Sequence, residues 1–167
     1  DTAPTWLRQV ASIQTPTYEK NISAVVLQKD IQVTLDSDGK ITTTENYAVK
    51  ILSREGRREA VAVAPYLVSS GKIREIVAWT ISPSGTIIEY DKKSVIDQIS
   101  DPDDVYNEGR IKIIDASGDT DTGTVFGYTI VSEEPPLFYQ DIWRSQDDLP
   151  TLLSRYTLNL PKGWKAV

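Results

Sequence analysis

Apolar and polar residues alternate with a period of two along much of the chain, which is the pattern of a half-buried β-strand. Ile31, Val33 and Leu35 fall on one face of the first such run, and residues 36–39 then supply Asp, Ser and Gly, which favour a turn. The alternation resumes over residues 41–51, where many side chains are β-branched and suit a pleated sheet. These two runs predict an antiparallel hairpin.

Two more hairpins are predicted further along the chain. Pro83 and Gly85 indicate a turn between two apolar runs, because proline presets φ for the first turn position and glycine tolerates a positive φ. The runs 109–114 and 124–131 flank an acidic, glycine-bearing loop at 115–123, and they would form the third hairpin.

The remaining apolar segments extend this β pattern. Residues 59–68 favour a strand, although the alanines of this segment also suit a helix, and residues 154–160 alternate once more. Several short strands at this spacing predict an all-β fold, an antiparallel β-sandwich with at most a short N-terminal helix.

The predicted helix covers residues 6–11. Thr5 is its expected cap, and Trp6, Leu7 and Val10 would pack on the sheets. The helix would belong to an N-terminal extension of 24 residues that packs on the following domain.

A second candidate for a helix start lies in the middle of the chain. Residues 94–97 have the spacing of a capping box, in which a serine and an acidic side chain three residues later satisfy free N–H groups. Pro102 would end such a helix after a turn or two.

The β-sandwich domain is predicted to span residues 25–167. A chain of 167 residues is about one domain, and a domain of this size buries enough surface to fold without disulfides or metals. Because a strand should follow the Pro-Lys-Gly turn at 161–163, we expect the domain to be truncated at its C-terminal end.

Composition narrows the range of functions. The sequence has no cysteine and no histidine, so thiol catalysis, Ser-His-Asp chemistry and histidine-bound zinc have no residues to use. A net charge of −6 argues against nucleic acids and anionic membranes as partners. No apolar run approaches the ~20 residues that span a bilayer. We therefore expect a non-enzymatic domain without a metal or another cofactor.

Several segments together resemble a bacterial domain-of-unknown-function family that precedes a transglutaminase-like core. The segments that carry the resemblance are 47–52, Ile73, 78–85, 123–128 and 158–163, and the likeness extends from about residue 25 to residue 167. The resemblance implies a β-sandwich in an exported multidomain protein, periplasmic, extracellular or on the cell surface. It also implies that a Cys-His-Asp site lies downstream, in a catalytic domain of the same chain.

One apolar stretch is the candidate interaction surface. Leu137, Phe138 and Tyr139 form either an edge strand or a patch that packs against a neighbouring domain, and Trp143 follows on a less regular segment. Trp79 lies within a strong strand and is expected in the core. Trp143, with Trp6 and Trp164, could instead contribute to an aromatic platform for a sugar or a peptide, although packing is the favoured interpretation.

Acidic residues offer two further interpretations. Asp115, Asp119 and Asp121 are similar to an oxygen-rich calcium loop, but their spacing differs from the calcium-binding pattern and a solvated loop is favoured. A two-carboxylate hydrolase would need only one pair among the many acidic residues, and their abundance makes any single pair uninformative. The candidates are Asp101, Asp103, Asp104, Glu108, Glu133, Glu134, Asp147 and Asp148.

The spacing Ser-x-x-Lys occurs twice, at 37–40 and 69–72. This spacing activates a serine when a helical turn brings the lysine beside it. Here glycine precedes each lysine and a strand follows, so ordinary turns are favoured.

Taken together, these observations predict a non-catalytic accessory module that positions a substrate or docks the downstream transglutaminase-like domain. A peptide or a polysaccharide could be a further partner. The alternatives are a carbohydrate-binding module, with Trp143 in its site, and a two-carboxylate hydrolase.

Overall fold

The computed structural model describes residues 2–101, 108–135, 143–145 and 147–165, and within them nine strands form two sheets. The strands are β1 Ala24–Leu35, β2 Ile41–Ile51, β3 Val61–Leu67, β4 Lys72–Ile81, β5 Ile87–Tyr90, β6 Ile96–Ile99, β7 Gly109–Asp115, β8 Val125–Glu134 and β9 Ser154–Asn159. A six-stranded sheet has the order β5-β4-β8-β2-β1-β9, and a three-stranded sheet has the order β3-β7-β6. The prediction of an all-β sandwich is therefore confirmed.

Helical structure is scarce, as the sequence predicts. The described ranges contain one α-helix, α1 Thr5–Ala11, and 3-10 helices at Arg54–Glu59, Lys92–Ser94 and Ser117–Asp119. Among the described residues no helix has the length and apolar character needed to cross a membrane.

The main core lies between the two sheets. Phe126 of β8 is the largest fully buried side chain. Ala62, Ala64 and Ile114 of the smaller sheet belong to the same buried cluster, and their alternation in sequence directs every second side chain toward it.

Helix α1 covers the opposite face of the six-stranded sheet. Leu7 and Val10 are buried there, as predicted, and Trp6 packs against the same cluster. Gly127 allows this close approach, because a Cβ atom at that position would lie 2.4 Å from Cδ1 of Leu7. Each face of the larger sheet thus carries a buried cluster, and the predicted domain division at residue 24 stays a prediction.

The predicted helix cap is wrong by one residue. Pro4 occupies the cap position with an extended backbone and makes no side-chain hydrogen bond, while Thr5 is already helical. The fixed φ of proline, here −60°, lets the helix begin directly after it. The Thr5 hydroxyl instead accepts a hydrogen bond from Arg8 at 3.4 Å.

The predicted helix start at residues 94–97 is also wrong. Ser94 ends a 3-10 helix whose cap is Asp91, which accepts a hydrogen bond from the Lys93 N–H at 2.9 Å. Ile96 then begins β6 and lies opposite Ile113 of β7. Pairing with β7 therefore overrides the local capping signal.

The two local hairpins and the strand at 59–68 are confirmed. β1 and β2 pair in antiparallel register around a turn in which Gly39 has a φ of 80°. β4 and β5 pair around a turn in which Gly85 has a φ of 87°. The segment 59–68 contains β3, which pairs with β7.

The third predicted hairpin does not form, although both of its segments are strands. β8 lies between β4 and β2 in the larger sheet, whereas β7 lies between β3 and β6 in the smaller one. Both faces of β8 are covered. Phe126 is buried on one face, and Gly127 lies close to Leu7 on the other. It is therefore a central strand, and the loop after β7 crosses between the sheets.

One strand pair is parallel, in contrast to the antiparallel prediction. β9 pairs with β1 in parallel register, from Lys29 opposite Ser154 to Thr34 opposite Asn159. Arg155 of β9 also donates a hydrogen bond to the Asp30 carboxylate at 3.0 Å. The largest sheet is thus completed by a strand far along the chain.

Candidate interaction surface

The three-stranded sheet carries apolar side chains on both faces. Because alternate residues of β3 and β7 enter the core, the residues between them point to the opposite side. This opposite side is the outer face, and its apolar residues are Val61, Val63, Pro65, Leu67, Ile96, Ile111 and Ile113.

The strand register aligns the centre of the outer face into two rows. Val63 lies opposite Ile113, and Ile113 lies opposite Ile96. The neighbouring row runs from Pro65 through Ile111 to Gln98 of β6, and neither row contains a charged residue.

The exposed fractions show that this apolar surface is open. Val63 is 48%, Leu67 54% and Ile96 56% exposed. A solvent-facing antiparallel sheet normally alternates apolar and polar residues, whereas strands covered on both sides are apolar throughout. The outer face therefore has the composition of a surface that another element covers.

The interaction surface predicted from the sequence is only partly described. Leu137, Phe138 and Tyr139 lie outside the described residues. Trp143 is 42% exposed, and its ring centre lies 6.4 Å from that of Tyr156 on β9. Trp143 is thus located beside the larger sheet and not on the outer face, and its role in binding stays a prediction.

Glu133 is the centre of a cluster of three positively charged side chains. Its side chain is only 5% exposed and contacts Lys40 Nζ at 2.7 Å, Lys72 Nζ at 3.0 Å and Arg74 Nη1 at 2.6 Å. The hydrogen bond from Lys40 is the largest cause that lowers the pKa of Glu133 to about 2, with Lys72 and Arg74 adding to it against the effect of burial. Glu133 is therefore ionised at neutral pH and suits ion pairing better than proton donation.

This cluster also explains the two Ser-x-x-Lys segments. Their lysines, Lys40 and Lys72, both contact Glu133, and Ser69 donates its hydroxyl hydrogen bond to Glu108. Ion pairing and turn formation therefore account for these residues, as the favoured interpretation expects.

We expect Glu133→Gln to lower the melting temperature at pH 7, because three cations lose their shared carboxylate. The folded pKa near 2 lies below the ordinary value of 4.5, so this contribution is complete above pH 4.5 and disappears as the pH falls toward 2. Circular dichroism melts across that range should show the variant and the original protein converging. Glu134→Gln, at the exposed neighbouring position, is the control, and a difference that stayed constant with pH would contradict the assignment.

Sequence reasoning missed a second, partly buried carboxylate, Glu45, which lies near Lys29. Burial is the largest cause that raises the pKa of Glu45, and the Tyr128 hydroxyl donates a hydrogen bond to its Oε1 at 2.8 Å. Tyr47 stacks on Tyr128 with ring centres 5.1 Å apart. The alternation from Ile41 could have indicated this position, because it places Glu45 on the same face as the buried Val49.

A cavity of about 290 Å³ lies beside this tyrosine pair. Tyr47 and Glu59 line it together with Lys29 and Asp147, which form an ion pair at 3.0 Å. Asp147, one of the predicted hydrolase carboxylates, is therefore ion-paired with Lys29. Two other candidates, Asp103 and Asp104, lie outside the described residues.

The aspartates of the predicted calcium loop form hydrogen bonds within the loop and with Tyr90. Asp115 accepts one from the Ser117 N–H and Asp119 one from the Tyr90 hydroxyl, both at 2.9 Å. The Asp121 N–H donates to the Thr124 hydroxyl at 3.2 Å. Within the described part of the chain no three acidic side chains are grouped in a way that could hold a metal ion.

Comparison with known proteins connects this fold to a family. The sequence model of the family described as "Domain of Unknown Function with solved-structure structure (DUF3857)" matches residues 37–166. No curated protein sequence matches the chain.

The fold is similar to part of a crystal structure described as that of "a putative protease" from Parabacteroides distasonis ATCC 8503. The TM-score is 0.75 at 16% identity, and the match covers 84% of this chain. It covers 29% of the Parabacteroides chain, so the present chain corresponds to less than a third of that protein.

Proposed function

The chain belongs to the DUF3857 family, and on that basis we propose that it is a non-catalytic accessory domain of a larger protease-like protein. In this proposal the outer face docks against a neighbouring domain of the same polypeptide. That neighbour is a transglutaminase-like catalytic core in an exported protein, which supplies the cysteine and histidine that this chain lacks.

The observation that carries the proposal is the pair of uncharged rows on the outer face. The row Val63, Ile113 and Ile96 would be desolvated at the centre of an interface, where apolar residues contribute most to binding. The coverage of 29% of the Parabacteroides chain supports a neighbouring domain as the occupant. Domains of one chain commonly bury such surfaces against one another.

The absence of native cysteine in this chain permits a direct test by thiol labelling. Val63→Cys on the outer face should react with iodoacetamide rapidly in the isolated chain and at least about tenfold more slowly in the longer polypeptide, since the centre of an interface excludes solvent. Peptide mass spectrometry would report the modification at this position alone. Ile88→Cys on β5, which is 42% exposed in the other sheet, is the matched control and should react at the same rate in both proteins.

Two results would overturn the docking proposal. The first is equal labelling of Val63→Cys in both proteins. The second is labelling of the isolated chain that slows as its own concentration rises, because this result would assign the outer face to a second copy of the chain.

A further inference from the structure

β4 is paired along its whole length on one side but only along half of it on the other. β8 pairs with it from Lys72 to Ile81. β5 pairs only with the part from Ala78 to Ile81. Among the described residues, the part of β4 from Ile73 to Val77 therefore has no strand on the β5 side.

The hydrogen-bond pattern shows which main-chain groups remain available. The Ser82 N–H donates to the Thr86 carbonyl at 2.9 Å, so this residue pair directs its main-chain groups toward each other. In an antiparallel pair every second residue does the same, which includes Thr80 and Ala78. By the same alternation, Ile76 directs its N–H and C=O away from β8 and toward the open side.

The turn between β1 and β2, traced across the sheet order β1-β2-β8-β4, gives the same assignment. The Asp36 N–H donates to the Lys40 carbonyl at 3.0 Å, so the alternation along β1 pairs Asp30 with Asn46 of β2. The β2–β8 and β8–β4 registers extend this alternation to β4. They direct the main-chain groups of Val77 toward Thr129 of β8, and the main-chain groups of Ile76 toward the open side.

A cleft lies along this open edge. Its volume is about 460 Å³, and it separates the open half of β4 from the facing sides of β6 and β7. Ile73, Ile76 and Val95 give it an apolar floor. Its rim carries charges of both signs, from Arg74, Lys92 and Lys112 and from Glu75, Asp91 and Asp97.

The residues that the structure describes do not fill the cleft. After Tyr90, the last β5 residue, the chain turns into the 3-10 helix Lys92–Ser94 and does not continue along β4. At the other end, a bulge between Ile73 and Glu75 limits regular pairing to the residues from Glu75 onward.

We propose that an extended peptide segment of about four residues, roughly 13 Å long, pairs with β4 in this cleft and continues the line of β5. The Ile76 N–H and C=O supply the central main-chain hydrogen bonds. One side chain of the peptide, small and apolar, enters between Ile76 and Val95. This site is distinct from the outer face and goes beyond the docking proposal.

Recognition in this mode depends on the peptide backbone more than on its charge. Asp97 is already occupied by Arg110 at 3.0 Å and by the Tyr66 hydroxyl at 2.9 Å, so it adds little attraction for a charged ligand. The balanced rim accordingly favours a segment of low net charge.

The test begins with a phage-displayed library of random peptides, from which binders are selected and synthesised. Adding a selected peptide should slow hydrogen exchange at the Ile76 amide by at least about tenfold in NMR spectra. The Val77 amide, which already bonds to β8, should change little.

Backbone methylation distinguishes strand pairing from other binding. A peptide N-methylated at a residue that donates to β4 should bind at least about tenfold more weakly, because one hydrogen bond is lost and a neighbouring acceptor is left unpaired. Methylation at the next residue should have little effect.

Two protein variants complete the design. Val95→Trp should fill the cleft and weaken binding, whereas Val63→Trp on the outer face is the control and should bind as before. The proposal is overturned if the library yields no binder, if methylation at the two positions has equal effects, or if the exchange changes map to the outer face. None of these outcomes alters the labelling test of docking.

Discussion

Replacing Gly56 by alanine is expected to lower the free energy of unfolding by about 3 kcal/mol, at the upper end of the usual cost of overpacking. A Cβ atom at this position would lie 2.0 Å from the carbonyl oxygen of Ser23 and 2.8 Å from its carbonyl carbon. This carbonyl cannot move freely, because it accepts hydrogen bonds from the N–H groups of Leu52 and Ser53 at 2.9 and 3.1 Å. The 3-10 helix that contains Gly56 would have to shift away from the start of β1.

Gly118→Ala is the matched control for this substitution. Gly118 also lies in a 3-10 helix, but a Cβ atom there would meet nothing within 4 Å. We expect a change within about 0.5 kcal/mol, as for most surface substitutions. Urea denaturation of the two variants measures the difference directly, and equal stability would mean that the close approach of Gly56 to Ser23 does not exist.

The second large effect is expected where α1 meets β8. Leu7→Ala should cost about 3 kcal/mol, because it removes a fully buried side chain and leaves a cavity between the helix and the sheet. Gly127→Ala should cost about 2 kcal/mol through overpacking against the same side chain. The new Cβ would lie 2.4 and 2.9 Å from the two terminal carbons of Leu7.

The double variant tests whether these two residues form one contact. Truncating Leu7 creates the space that the alanine at position 127 needs, so the combined loss should be smaller than the sum by about 1 kcal/mol. A small part of the strain should remain, since the Tyr47 carbonyl oxygen lies 3.1 Å from the same Cβ position. Ile13→Ala, at an exposed residue just beyond α1, is the control. Strictly additive losses would argue against the packing of α1 on Gly127.

Local features of the fold were predictable from the sequence because their causes are local. The Asp-Gly turn before Ile41 and the Pro-x-Gly turn before Thr86 each supply a residue that accepts positive φ, and both hairpins form. The alternation in the second half of β1 likewise identified its inner face, on which Val33 is fully buried.

Pairing between distant strands was not predictable in the same way. The runs that became β7 and β8 are neighbours in sequence, and nearness favoured a hairpin. Their partners are decided instead by burial, since Gly127 is needed under Leu7 and Ile114 is needed opposite Phe126. These contacts come from segments that only the folded chain brings together.

The same reason limited what could be predicted about charged residues. Glu133 was one of many acidic candidates in the sequence, and nothing local distinguished it. Its three cations come from the turn just before β2 and from two positions on β4, which meet only across the sheet. The apolar run of β3 was predicted only as a strand, and the outer face was not predicted, because its exposure depends on how the sheets stack.

The pairing of β9 with β1 has a consequence for biosynthesis. Asp30 and Arg155 are 125 residues apart in the sequence, so a ribosome makes β1 well before the strand that will cover its edge. During that interval the unpaired main-chain groups of β1 can pair with another nascent chain. Closing so long a loop is also slow, because the entropy of the intervening chain must be lost before the contacts form. We therefore expect the need for chaperones to be greatest while the nascent chain still lacks β9.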